Sequence, residues 1–128
     1  MVNWIFKVFK GAGIEEWLTS LPANIETKFR ILLSYMATAQ EQWSRPYFGK
    51  LTRYKNLYEI RVTGSIQYRL LGCYGPNRHE FTLLIGATKA GASKGKSATW
   101  NPKNALEIAD KRSKLIAENG RYADEYER

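Results

Sequence analysis

Three cations stand within or just past apolar, strand-like segments of this 128-residue chain: Arg61 in LYEIRV, Arg69 in SIQYRLLGCY and Lys89 after EFTLLIGAT. In LYEIRV the alternation puts Tyr58, Ile60 and Val62 on one side and Glu59 and Arg61 on the other. With the apolar side on a core, Glu59 and Arg61 are expected to face solvent or substrate. A guanidinium fork matches two oxygens of a phosphate, so Arg61 is the first candidate for binding one; the alternative is an ion pair with Glu59 or a cross-strand acid. Arg69 sits in an otherwise apolar run and must be paired or functional, through a phosphate or a buried pair. Both arginines stay protonated, so neither can be a base. Lys89, at a strand end, is a candidate for moving a proton or holding a phosphate; the alternative is an ordinary surface lysine.

Other residues have narrower options. Tyr54, flanked by cations in TRYKN, suits stacking on a base, with Lys55 beside it for the backbone. Tyr58 and Tyr68 fall on the apolar face and are expected to pack in the core. His79 is the single histidine, which excludes a two-histidine acid–base pair. Glu59 could serve as a base if it faced a cleft, although pairing with Arg61 is the favoured reading. There is no Cys/His cluster and no local group of carboxylates, so no metal and no cofactor are expected.

The stretch GASKGKS resembles a nucleotide phosphate loop but has the wrong spacing. Such a loop needs four residues between its first glycine and the Gly-Lys pair, with a helix starting at the lysine. Here Gly91 and Gly95 enclose three residues, and helix-start signals come only at Asn101-Pro102. What remains is a small-residue loop carrying Lys94 and Lys96, which could follow a phosphate chain or be a solvated linker.

Charge points the same way. The net charge is +8, and its distribution is uneven: Arg45 to Lys103 holds eleven Lys/Arg against two acids, while the rest holds nine against ten. Such a bias suits a face that binds a polyanion, nucleic acid in the first place. No basic amphipathic helix carries the charge, so a membrane partner is not expected. The start of the chain lacks a continuous apolar core of the secretory kind, and Cys73 is the lone cysteine. A reduced, cytoplasmic protein is the expectation.

These side chains need a scaffold, and the periodicities describe one. Asn3–Phe9 alternates as a strand, and Ile14–Leu21 makes a short helix. A second helix runs from Pro22 to about Gln40, with Ile25, Phe29, Leu32, Leu33 and Met36 as its core stripe. EQWSRPYFGK reads as a loop. Strands Leu57–Val62 and Ser65–Tyr74 form a hairpin about Gly64, and Glu80–Thr88 is a doubly covered strand. A last helix is expected from Asn101 as cap and Pro102 as first residue, stopping at Gly120. The order β-α-α-β-β-β-α predicts one α+β domain over residues 1–119, a small mostly antiparallel sheet packed against helices. Residues 120–128 are read as a charged, mobile tail.

LTRYKNLYEIRV followed by QYRLLGCY, the strand end LLIGATK and the segment NPKNALEIADKR together resemble the phage-derived HigB branch of the RelE-like toxins. The resemblance covers Trp4 to Ile116 and implies a RelE-like fold. It also implies a toxin that cuts messenger RNA, often on the ribosome, and is restrained by an antitoxin with a helix-turn-helix domain. RNA carries its own nucleophile, the 2′-hydroxyl. The expected endoribonuclease therefore needs no metal, with Arg61, Arg69 and Lys89 at the reacting phosphate and Tyr54, Lys55, Lys94 and Lys96 along the strand. Relatives often have adjacent lysines after the last strand, where this chain has Lys89 followed by Ala90 and Gly91. That departure keeps a second reading open, a non-catalytic RNA- or ribosome-binding module. A third is an interaction protein whose basic face receives an acidic antitoxin segment.

Overall fold

The computed structural model describes residues 3–91 and 98–126. The first alternating segment forms strand β1 (Ile5–Phe9), and the two apolar stripes after it form helices α1 (Ile14–Thr19) and α2 (Ala23–Thr38). Pro22 leads into α2, its carbonyl accepting from the amides of Ile25 at 2.9 Å and Glu26 at 3.0 Å. The segment read as a loop contains a short strand, β2 (Phe48–Lys50). Strands β3 (Tyr58–Thr63), β4 (Gln67–Tyr74) and β5 (Glu80–Ala90) follow within a few residues of their expected limits.

The last third of the chain departs from the sequence reading in two places. Asn101 and Pro102 do not start the final helix. Thr99–Asn101 is drawn into β6, paired with the end of β5, and α3 begins only at Ala105 and runs to Glu118. A cap signal is local, and the ladder bonds offered by β5 outcompete it. The second difference concerns the segment 120–128, read as a charged, mobile tail outside the domain, of which residues 120–126 are described. Ala123–Glu125 instead form β7, antiparallel to β1. Tyr122 stacks on Phe9 with centroids 5.7 Å apart, and Glu125 lies 3.6 Å from Lys7, so both ends of the added strand are held.

The protein is thus α+β, with an open, mostly antiparallel seven-stranded sheet and three helices among the described residues. The order is β2-β3-β4-β5-β1-β7, with β6 also on β5; β1 and β5 are the parallel pair. One face carries α1 and α2 over Phe29, Leu33, Met36, Ile60, Leu70 and Phe81. The other carries α3 over Leu57, Leu71, Leu84, Ala105, Ala109 and Ile116. This double covering explains why β4 and β5 are apolar on both faces. Tyr68 is buried in the first core, and Tyr58 packs against it, stacked on Phe48. No helix among the described residues is long and apolar enough to cross a membrane.

Two contacts hold the helices in register with the sheet. On one side Ser113 of α3 donates to the carbonyl of Asn56 at 2.9 Å, and Asn56 exchanges hydrogen bonds with the backbone of Tyr74. On the other, the Trp17 ring of α1 lies directly on Gly86 of β5, in the space a β-carbon would fill. Gly86→Ala should therefore lower stability by about 1–3 kcal/mol through overpacking. A denaturant midpoint equal to that of the parent protein would contradict this contact.

Candidate functional site

Register brings the expected cations together. Arg61 lies opposite Arg69 and Glu59 opposite Leu71 across β3 and β4, while Gln67 lies opposite Lys89 across β4 and β5. Directly opposed residues share a face, and residues two apart on a strand do too. Glu59, Arg61, Arg69 and Lys89 therefore rise from one face, the face whose neighbouring part, Leu71 included, is covered by α3.

Their common centre is the carboxylate of Glu59, which is 3% exposed. Arg61 reaches it with Nη2 at 2.8 Å and donates to it from Nε at 2.9 Å. Arg69 Nε is 3.4 Å and Lys89 Nζ 4.0 Å from its other oxygen. Glu59, expected to face solvent or substrate, is instead buried and ion-paired to all three cations. Arg61 makes the ion pair that was its alternative reading. One negative charge cannot balance three positive ones, so the group holds a surplus of two.

The members differ in how firmly they are held. Arg69 is buried, donating to the Tyr68 carbonyl at 3.0 Å and to Gln67 Oε1 at 2.6 Å. Burial pulls its guanidinium below the usual range; Glu59 opposes that effect and the Arg61 charge adds to it. Its Nε and the facing Glu59 Oε1 are both sealed from solvent without a hydrogen bond. They attract as an ion pair only, which leaves unused bonding capacity at the centre of the site. Arg61 and Lys89 are more open, each side chain about 20% exposed.

Two residues that position these cations escaped the sequence reading. The Arg61 guanidinium lies across Gly49 of β2, where an added β-carbon would come within 2.9 Å of Cζ. Nothing local in PYFGK announces this; it follows from Gly49 pairing with Glu59. Trp100 lies opposite Lys89, whose Nζ stands 5.2 Å from the ring centroid, a cation–π contact that steers the ammonium. A lone tryptophan in the small-residue run SATWNP was its available signal.

Among the described residues, none of the remaining candidates pairs with the Glu59 carboxylate. Tyr54 is half-buried against the core under α3, and its carbonyl accepts from Lys50 Nζ at 3.1 Å. Lys55 is exposed on the same connection. Lys94 and Lys96 lie outside the described residues. His79 sits in the turn before β5, edge-on to Trp4, about 30 Å along the strand from Lys89. Among the described residues no group of three or more His, Cys, Asp and Glu is gathered closely enough to hold a metal ion.

A surplus of positive charge fixed on a rigid sheet, with a partly open arginine fork and an ammonium at its rim, can bind a phosphate and stabilise added negative charge on it. Comparison with known proteins adds one finding. The model of a family described as "Phage derived protein Gp49-like (DUF891)" matches residues 16–114, from within α1 through most of α3. No curated protein and no solved structure gives a significant match.

Proposed function

Since the chain belongs to the phage-derived Gp49-like family, within the RelE/ParE-like toxin superfamily, we propose that it is a toxin that cuts messenger RNA without a metal. The observation that carries this reading is the convergence of Arg61, Arg69 and Lys89 on one buried carboxylate, leaving two uncompensated positive charges. A phosphodiester carries one negative charge. Attack by a deprotonated 2′-oxygen makes a five-coordinate phosphorus with two. The site's surplus matches the second state better than the first, and preferential binding of that state is what accelerates a reaction.

In this mechanism Arg61 uses the N–H groups not committed to Glu59 to hold the non-bridging oxygens. Arg69 keeps the field positive from below. The 2′-oxygen forms its bond to phosphorus as the bond to the 5′-oxygen breaks. The 2′ proton leaves to solvent, and Lys89 gives a proton to the departing 5′-oxygen. The products are a 2′,3′-cyclic phosphate and a 5′-hydroxyl. A partner that silences the toxin, an antitoxin with a helix-turn-helix domain in this reading, would use acidic side chains against the same face.

A second reading has an observation of its own. The Glu59 carboxylate is sealed, so it cannot take the 2′ proton directly, which favours a module that binds RNA or the ribosome without cutting. Incubating the purified protein with messenger RNA in excess chelator, with and without ribosomes, separates the two. Fragments ending in 2′,3′-cyclic phosphate are expected. Bound but intact RNA under both conditions would select the second reading, and no RNA binding at all would remove both.

A further inference from the structure

The chain has four tryptophans, and three of them pack ring against ring: Trp4 on Trp43, Trp43 on Phe48 and Trp17 on Phe29. Trp100 differs. Among the described residues its ring is paired with no other aromatic ring, and what stands over it is the Lys89 ammonium, 5.2 Å from the centroid. β6 is three residues long, and its central side chain is the one on the face of the cation cluster. Trp100 lies opposite Lys89, Lys89 opposite Gln67, and Gln67 shares a face with Arg69. Thr99 and Asn101, on either side of it, are exposed and belong to the other face. The indole is partly buried against the core under α3 and partly open. Lys89 Nζ stands between this ring and the Glu59 carboxylate, 4.0 Å away, which puts the ring at the rim of the centre.

We propose that Trp100 is the stacking platform for a nucleobase, the base joined through its ribose to the phosphate that Lys89 and Arg61 hold. The inference rests on the ribonuclease reading and deepens it. An aromatic ring is a flat surface on which any base can stack. The backbone of Trp100 is tied into the ladder with β5, so the ring needs little ordering when a strand arrives. A charge-assisted bond to phosphate is stronger than a cation–π contact. Once the ammonium turns to the phosphate, the ring surface it leaves is open to the base. The cations alone read charge, which every polyanion offers; the ring adds a contact that only a base-bearing strand can make. If Trp100 did no more than steer Lys89, its loss would weaken any phosphate chain equally.

The test compares two fluorescent probes of equal length by anisotropy. One is a short, fully 2′-O-methylated oligoribonucleotide, which cannot be cut by its own 2′-oxygen. The other is an abasic phosphodiester oligomer, with the same charge and no bases. Trp100→Ala should weaken the base-bearing probe by about tenfold or more and the abasic probe by no more than about twofold. Trp100→Phe keeps a ring and should hold the base-bearing probe within about threefold of the parent protein. Trp100→Leu, apolar without a ring, should match the alanine variant. Arg61→Ala and Lys89→Ala should each weaken both probes. Unchanged binding of the base-bearing probe in Trp100→Ala and Trp100→Leu would overturn the platform while leaving the phosphate site standing. An equal loss on both probes would also overturn it, reducing the ring to a support for Lys89 or for the fold. If neither Arg61→Ala nor Lys89→Ala alters either probe, the phosphate site itself fails, independently of Trp100, and the ribonuclease reading fails with it.

Discussion

Arg61→Ala should lower RNA cleavage by about 10²-fold or more and relieve growth arrest on induced expression, while the protein stays folded. Removing one well-placed donor to developing charge typically costs a factor of 10² to 10³. Arg61 is the more accessible guanidinium of the site, and its loss halves the positive surplus. The fold should tolerate the change because Glu59 keeps two cations, Arg69 at 3.4 Å and Lys89 at 4.0 Å. Arg61→Lys should rescue little, since an ammonium cannot present a fork to two oxygens. Gly49→Ala offers a check that keeps the arginine. The added methyl occupies the place over which the guanidinium lies and should reproduce part of the loss. Cleavage by Arg61→Ala at the parent rate would remove Arg61 from the mechanism.

Glu59→Ala should act chiefly on stability, by about 3 kcal/mol. Breaking a buried ion pair from one side leaves the other charge without its counter-charge, and such changes cost roughly 3–5 kcal/mol. The lower end is expected because Arg69 retains its bonds to the Tyr68 carbonyl and to Gln67. Arg61 and Lys89, being partly exposed, can turn to water. Glu59→Gln should destabilise in the same direction but less, since the amide preserves the packing and one acceptor oxygen. Chemical denaturation of the three proteins decides the matter. An alanine variant within about 1 kcal/mol of the parent would mean that Glu59 is not what holds the cations together. Activity should also fall in the glutamine variant, because one carboxylate oxygen and the negative charge that orient Arg61 and Arg69 are lost.

The resemblance and the family match agree at the level of a phage-derived, toxin-related family. The family match spans residues 16–114, so β2 and β6 lie inside it and β7 outside. β2 and β6 have three residues each, and their hydrogen bonds come from other strands, β3 and β5. A strand of that length has no periodicity to read. β7 lies at the end of a charged stretch, and β1, its partner, is at the opposite end of the chain.

Sequence by itself determined the long elements and the facing of their side chains, because helix stripes and strand alternation are local geometry repeated over many residues. It follows that Arg61 and Glu59 had to share a face, and that Arg69 stood out as a charge in an apolar strand. Tertiary structure alone decided that these charges meet. The pairing of β3, β4 and β5 fixes Arg61 across from Arg69 and brings Lys89 to the same carboxylate, and a one-residue slip would turn each strand's set to the other face. It also decided that Glu59 is sealed, that Gly49 makes room for Arg61, and that Trp100 stands beside Lys89. Each is a contact between different strands, and only the folded sheet sets the distances across them.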